Sequence, residues 1–366
     1  MNQKVVMTLV GIRPDFIRMS EVFKKLDSSK CLDHLLIHSG QHYEKMLSDV
    51  FFEELEIRKP DFNLSVGSPG REHYEQEGIL SKKIIELLKS REFPKPDIIL
   101  FLGDSNSVLS SIPLRKEGYK IGHIEAGMRS GDMEMPEECN RICCDHMSDF
   151  LFTYHQNYAD NLYAENIPEE KVFVVGNTIV EVVNKFLPEI RKRPKKLDKI
   201  IIDIHRPENI NSVINLLNIL DFANECAIRF QIPVEMISFG RTQAAIEKAK
   251  LEMGLVKWIP LMFYKNYLQA QYDSVFMISD SGTAQEEPAL LNTPVIVPRI
   301  STERPESIKY GNSKMLNVRT EWNDSWQDCL NYWLGSMETI NFIARTDWLG
   351  DGKTAERIVS ILEEQL

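Results

Sequence analysis

No run in this 366-residue chain is apolar for long enough to cross a bilayer; the longest, such as 97–102, stop at about a quarter of the length a membrane helix needs. The start, Met1 to Lys4 followed at once by a β-type run, lacks the apolar segment and small-residue cleavage site of a signal peptide, so a cytoplasmic protein is expected. Positive charge is in short supply: 43 Lys and Arg stand against 54 Asp and Glu, a net charge of −11. A chain of that balance is not built to neutralise a phosphate backbone, which removes nucleic acid from the expected partners. Cysteine is scarce as well. Its six positions, 31, 139, 143, 144, 226 and 329, contain no CxxC pair and no disulfide spacing, and read as reduced thiols. Cys139, Cys143 and His146 invite a zinc reading, but Cys144 points away from the helical face that 139 and 143 share, and no second ligand pair exists. Helix packing explains them better, and no metal is expected. Also missing are GxGxxG and GxxxxGK[ST]. The first β-type run leads into Gly11-Ile12-Arg13-Pro14, which has neither the glycine spacing nor the ribose acid of a dinucleotide site, so no NAD and no other cofactor is expected.

What is present is a repeated alternation. Val5–Val10, His34–Ser39, Ile98–Leu102, Ile121–Glu125, Phe150–Tyr154 and Val172–Val175 read as strands, each followed by an amphipathic stretch. The rhythm restarts at Ile200–Ile204 and continues through Val234–Phe239, Val256–Ile259, Val275–Ile278 and Val295–Val297. That pattern predicts an α/β protein of two Rossmann-like domains with a central cleft, and the length suits two cores. Between the blocks lies Arg191-Lys192-Arg193-Pro194-Lys195-Lys196, a solvated, proline-broken run read as the boundary. The expected domains are therefore 1–190 and 191–352.

Open parallel sheets bind ligands beyond the carboxyl ends of their strands, and the loops there carry the chemistry. Gly103-Asp104 and Glu125 each end an apolar run, where a charge is costly unless it is partnered or used. Glu137 and Arg141 sit one helical turn apart in the block that follows. Converging carboxylates shift one another's pKa values and can supply an acid and a base near neutral pH; the competing reading is a buried ion-pair network with Arg129 or Arg141. Ser281-Gly282-Thr283 follows a strand and is expected to open a helix whose N–H groups could hold a phosphate, with Glu286 or Glu287 accepting from a ribose. Arg13 and Arg18 in the first half, with Arg299 and Arg304 in the second, suit bidentate contacts to a diphosphate.

In order along the whole chain, Gly11–Arg18, Gly40-Gln41-His42, Gly103-Asp104-Ser105, His123–Arg129, Pro136–Arg141, Gly176-Asn177-Thr178, His205–Asn209, Asp280–Glu287, Thr302–Glu306 and Gly350–Lys353 resemble one family. It is the non-hydrolysing UDP-N-acetylglucosamine 2-epimerases. The resemblance implies a GT-B-like fold in which the final helix, 353–366, completes the first domain, and a homodimer. It implies that C2 of a UDP-2-acetamido sugar loses its proton while C1 loses UDP, and that UDP re-adds to the bound glycal with no redox cofactor. By motif match Asp104, Glu125 and Glu137 are the acid/base candidates, Arg141 supports them, and His205 lies against the leaving diphosphate. Arg13, Arg18, Arg206, Ser281, Gly282 and Glu287 match the UDP contacts, and Gln41 and His42 match a loop that binds an activating second UDP-sugar in some members. One departure falls at Phe239-Gly240-Arg241, where relatives usually carry a histidine. Blocks such as Phe51–Leu55 and Lys59-Pro60-Asp61 are similar to relatives acting on deoxy or diacetamido sugars. A hydrolysing 2-epimerase, a GT-B glycosyltransferase and a non-catalytic UDP-sugar sensor are the alternatives.

Overall fold

The computed structural model describes residues 3–40, 52–68, 73–91, 93–320, 324–337 and 342–366. The chain divides into two compact units, Met1–Val182 with Leu349–Leu366, and Val183–Trp348. In the first, β1 (Lys4–Val10), β2 (Leu32–His38), β3 (Phe62–Asn63), β4 (Ile98–Leu102), β5 (Ile121–Ile124), β6 (Phe150–Thr153) and β7 (Val172–Val174) form a sheet ordered β3-β2-β1-β4-β5-β6-β7. In the second, β8 (Lys199–Asp203), β9 (Val234–Ile237), β10 (Val256–Ile259), β11 (Ser274–Ser279), β12 (Val295–Val297) and β13 (Ser313–Met315) are ordered β10-β9-β8-β11-β12-β13. Every pairing is parallel. No helix among the described residues is long and apolar enough to cross a membrane.

Strands covered by helices on both faces must be apolar throughout, and Ile98–Leu102 is buried at all five positions. Gly122 shows how tightly side chains pack across neighbouring strands, since a Cβ there would lie 2.5 Å from Cδ2 of Leu100, its partner on β4. Two strands carry no such run and were not expected: Phe62–Asn63 is exposed at both residues, and Ser313–Met315 reads Ser-Lys-Met. Both are edge strands, where one side of the ladder is open and polar residues are tolerated. In each sheet the winding reverses once, between β1 and β4 and between β8 and β11, so the loops after those four strands meet at a switch point.

The last helix, Thr354–Gln365, belongs to the first unit and buries Ile358, Val359 and Leu362. Its first turn is held by Glu181, whose two carboxylate oxygens accept from the Ala355 N–H at 3.1 and 3.2 Å. Burial pushes the Glu181 carboxyl up to about 7, with the charge of Glu21 adding to it and the Ala355 N–H opposing it. A carboxyl bound more tightly to its proton when folded stabilises most below its unfolded value, near 4.5, and that contribution is lost as pH rises through about 7. Glu181→Gln keeps an acceptor for Ala355 but cannot ionise. Its thermal midpoint should therefore fall less than the parent's between pH 5 and pH 8 in parallel scans; equal slopes would remove this residue from the pH dependence.

Candidate active site

The β1/β4 switch point gathers Arg18, Asp15, Asp104 and Glu125. Arg18, 4% exposed on the helix Arg13–Asp27, forms an ion pair with Glu125, which is 2% exposed. Its guanidinium lies over Gly103, where a Cβ would meet Nη2 at 2.9 Å and where φ is +72°. Glu125 itself stands at φ +74°, the left-handed region that a non-glycine side chain enters at a cost on the order of 1–3 kcal/mol. The β-ladder holds it there: the N–H groups of Glu125 and Ala126 both donate to Phe152 O, at 3.0 and 3.2 Å. Strain kept in place by the surrounding fold marks a position chosen for its side chain's aim. Asp104, on the neighbouring turn, pairs with Arg141, whose Nη1 donates to Glu138 at 2.5 Å. Glu138 in turn accepts from the Ser130 and Gly131 N–H groups.

Asp15 was not singled out by sequence. Its Oδ2 accepts from the Gly11 and Ile12 N–H groups at 3.2 and 3.3 Å, while Oδ1 lies 3.9 Å from Arg18 Nη2. Burial raises its carboxyl to about 6 and Asp104 adds to the rise, against the Arg18 charge and the two N–H groups. This edge thus holds an acid close to neutrality.

In the second unit Asp280, fully buried, ties the β8 and β11 loops together. Its carboxylate accepts from the His205 and Arg206 N–H groups, both at 3.1 Å, and from Asn209 Nδ2 at 3.0 Å. His205 is turned by Asp203, 3.0 Å from its Nδ1, and Phe239 lies against its ring at 5.2 Å between centroids. Burial opposes protonation of His205, but Asp203 and Asp280 outweigh it and raise its pKa. Three arginines converge on Glu303: Arg206 at 3.2 Å, Arg299 at 2.9 Å and Arg304 at 2.5 Å. Arg304 also donates to Glu286 at 2.7 Å and packs over Gly282, where a Cβ would sit 2.5 Å from Nη1.

A family model described as UDP-N-acetylglucosamine 2-epimerase matches residues 24–363. The chain belongs to the UDP-N-acetylglucosamine 2-epimerase family. It is 35% identical to the UDP-N-acetylglucosamine 2-epimerase of Methanococcus maripaludis over 87% of this chain and 94% of that one. It is 32% identical to the UDP-2,3-diacetamido-2,3-dideoxy-D-glucuronate 2-epimerase of Pseudomonas aeruginosa over 86% and 88%. Among solved structures, Methanocaldococcus jannaschii UDP-GlcNAc 2-epimerase in complex with UDP-GlcNAc and UDP superposes with a TM-score of 0.88, at 31% identity over 99% of this chain and 100% of that one. The expected family and GT-B-like class both hold.

Of the residues matched to this epimerase family, Arg18, Asp104, Glu125 and Arg141 meet at the first unit's edge, with Arg13 and Glu137 in the first turns of two helices there. The ion-pair alternative is realised through Arg141, whereas Arg129 turns to Asp145 and Glu165. His205, Arg206, Ser281 and Gly282 gather at the second unit's edge. Glu287 is buried, with Tyr264 OH and Gln271 Nε2 donating to its two oxygens at 2.8 and 2.9 Å. The helix expected after Ser281 is only a 3-10 turn, Thr283–Gln285, and then a single turn, Glu287–Leu290, so little dipole stands behind Ser281. Gln41 and His42 lie outside the described residues.

Sequence reasoning missed Asp15, Glu138, Asp280 and Glu303, because each becomes significant through burial and through several partners, local and distant, meeting one carboxylate. Glu303 is the sharpest case, because neutralising it removes the carboxylate that three guanidinium groups share and leaves Glu286 and the more distant Glu208 to balance them. Glu303→Gln should cost about 3 kcal/mol in urea unfolding of the full chain, since removing one partner of a buried pair exposes the other to desolvation. A loss below about 1 kcal/mol, the scale of an exposed pair, would mean that the arginines find other partners.

Proposed function

We propose that this chain interconverts the C2 epimers of a UDP-2-acetamido sugar by eliminating and re-adding UDP. The observation that carries the reading is Glu125, held at φ +74° against Arg18 beside the Asp104–Arg141 pair. Inversion at C2 needs a base on one face and an acid on the other, and two carboxylates on the neighbouring turns after β4 and β5 suit that need. In the forward step the C2 proton goes to a carboxylate, the electron pair forms the C1–C2 double bond, and the C1–O bond breaks with its pair leaving on the diphosphate. The return step delivers a proton to the opposite face and rejoins UDP at C1. Asp104, Glu125 and Glu137 are assigned this proton work, with Arg141 fixing Asp104. His205, favoured as a cation by Asp203, suits the charge that develops on the leaving diphosphate, and Arg13, Arg18, Arg206, Ser281, Gly282 and Glu287 are assigned to the nucleotide. Gln41 and His42 keep their assignment to an activating second UDP-sugar.

The sugar is a 2-acetamido pyranoside. UDP-N-acetylglucosamine is supported by the M. maripaludis and M. jannaschii relatives, and a diacetamido uronate by the P. aeruginosa one. The resemblance also supports a homodimer, and nucleotide-sugar chemistry supports cytoplasmic work; sedimentation of the purified protein tests the dimer.

In deuterated water, turnover of UDP-N-acetylglucosamine, its 6-deoxy relatives or the diacetamido uronate should place label at C2, read by proton NMR. Glu125→Gln should slow that exchange by about 10²–10⁴-fold, the usual worth of a positioned acid or base. Exchange at the parent rate in Glu125→Gln would reject that residue's role. Free sugar accumulating as fast as substrate is consumed would replace the reading with a hydrolysing epimerase.

A further inference from the structure

Beneath the two carboxylate-bearing turns lies a buried pair that the reaction itself does not use. His123, at the centre of β5, and Asp145, on the helix Pro136–Met147, are 0% and 1% exposed. Nδ1 of His123 lies 2.6 Å from Asp145 Oδ1, and Nε2 lies 2.7 Å from the carbonyl oxygen of Gly103. Both partners are acceptors, so each ring nitrogen carries a hydrogen and the ring is an imidazolium. Burial opposes that charge, while Cys144 and Asp145 outweigh it and hold the pKa well above the ordinary histidine range. The other oxygen of Asp145 accepts from the Gly127 N–H at 3.1 Å and from Arg129 Nη1 at 2.8 Å. Gly127 has φ +78° and no room for a side chain, since a Cβ would lie 2.1 Å from Tyr158 O.

Each of these contacts ends beside a residue assigned to proton work. Gly103 precedes Asp104, Gly127 closes the turn that begins at Glu125, and the helix bearing Asp145 also bears Glu137 and Arg141. Turns of this kind, each with a residue in the left-handed backbone, keep their aim only if something beneath them does not move. We propose that His123 and Asp145 are positioning residues that lock the Asp104 turn, the Glu125 turn and the Glu137 helix to one another. The inference rests on the epimerase reading for its catalytic consequence, but its structural content stands alone.

Two amides separate the two contacts of the ring. Asn at 123 puts its nitrogen near Nδ1 and keeps Asp145 but loses Gly103; Gln puts it near Nε2 and keeps Gly103. His123→Asn should lower kcat on the order of 10²-fold, the cost of misaiming a reacting group by about 1 Å. KM should stay within about threefold, because nucleotide binding is not disturbed. His123→Gln should recover at least about tenfold of that loss. UDP titrated into each variant by calorimetry counts folded protein, so a kcat loss matched by lost UDP sites makes the role purely structural and overturns the proposal. A kcat in His123→Asn within about twofold of the parent overturns it too. Should the parent itself show no C2 exchange, the epimerase reading fails, and amide hydrogen exchange then decides the positioning claim. Faster exchange of 103–107 in His123→Asn than in His123→Gln sustains it, and equal exchange overturns it.

Discussion

A carboxylate taken out of water must be given a counterion or a set of N–H donors, and that constraint organises both units. Glu125 has Arg18, Asp104 has Arg141, and Glu138 stands behind Arg141 so that the arginine is itself held. In the second unit the same logic runs with the signs exchanged, three guanidinium groups being anchored on Glu303. Asp280 is satisfied instead by backbone and amide N–H groups from the neighbouring loop. Within each unit the charges proposed for chemistry and the charges that hold the loops are therefore linked by shared ion pairs and hydrogen bonds. Groups held in that way keep their orientation without further rearrangement.

The sheets set where this network forms. Two parallel sheets of similar strand order each reverse winding once, and the polar residues of interest follow the strands beside those reversals, β1, β4, β8 and β11, or the next strand over, β5 and β12. Glycine is required at particular points of that edge. Gly103 makes room for Arg18, Gly127 for the Tyr158 carbonyl, and Gly282 for Arg304. Glu125 occupies the same left-handed backbone without being glycine, and the doubled hydrogen bond to Phe152 O is what sustains it. Stability spent on that one residue fits a side chain whose direction matters more than its comfort.

Phe239, in the segment where the resemblance implies a histidine, packs against the His205 ring. His205 thus has an apolar neighbour on that side, while Asp203 turns the imidazole and favours its charge. Asp15 adds a carboxyl near pH 6 to an edge already holding Asp104, through burial beside a like charge. Neither effect can be seen from residue spacing, since both depend on which loops the sheet brings together.

The sequence by itself determined the α/β class, the central strands and the loops that carry chemistry. Apolar runs of strand length and ordered motifs are local properties, written in consecutive residues. It also named Asp104 and Glu125, because a charge ending an apolar run is visible without a fold, and named Glu137, Arg141 and His205 through the motifs that resemble one family. The edge strands Phe62–Asn63 and Ser313–Met315 were invisible, having no buried face to impose a pattern. Only the tertiary structure decided which arginine serves which carboxylate, and it chose Arg18 for Glu125, 107 positions away in the chain. Only it decided that Glu287 is already engaged by Tyr264 and Gln271, that a single 3-10 turn follows Gly282, and that His123 is a buried cation. Those outcomes follow from burial and from partners distant in sequence, and a pairing energy exists only once the fold has brought both charges out of water.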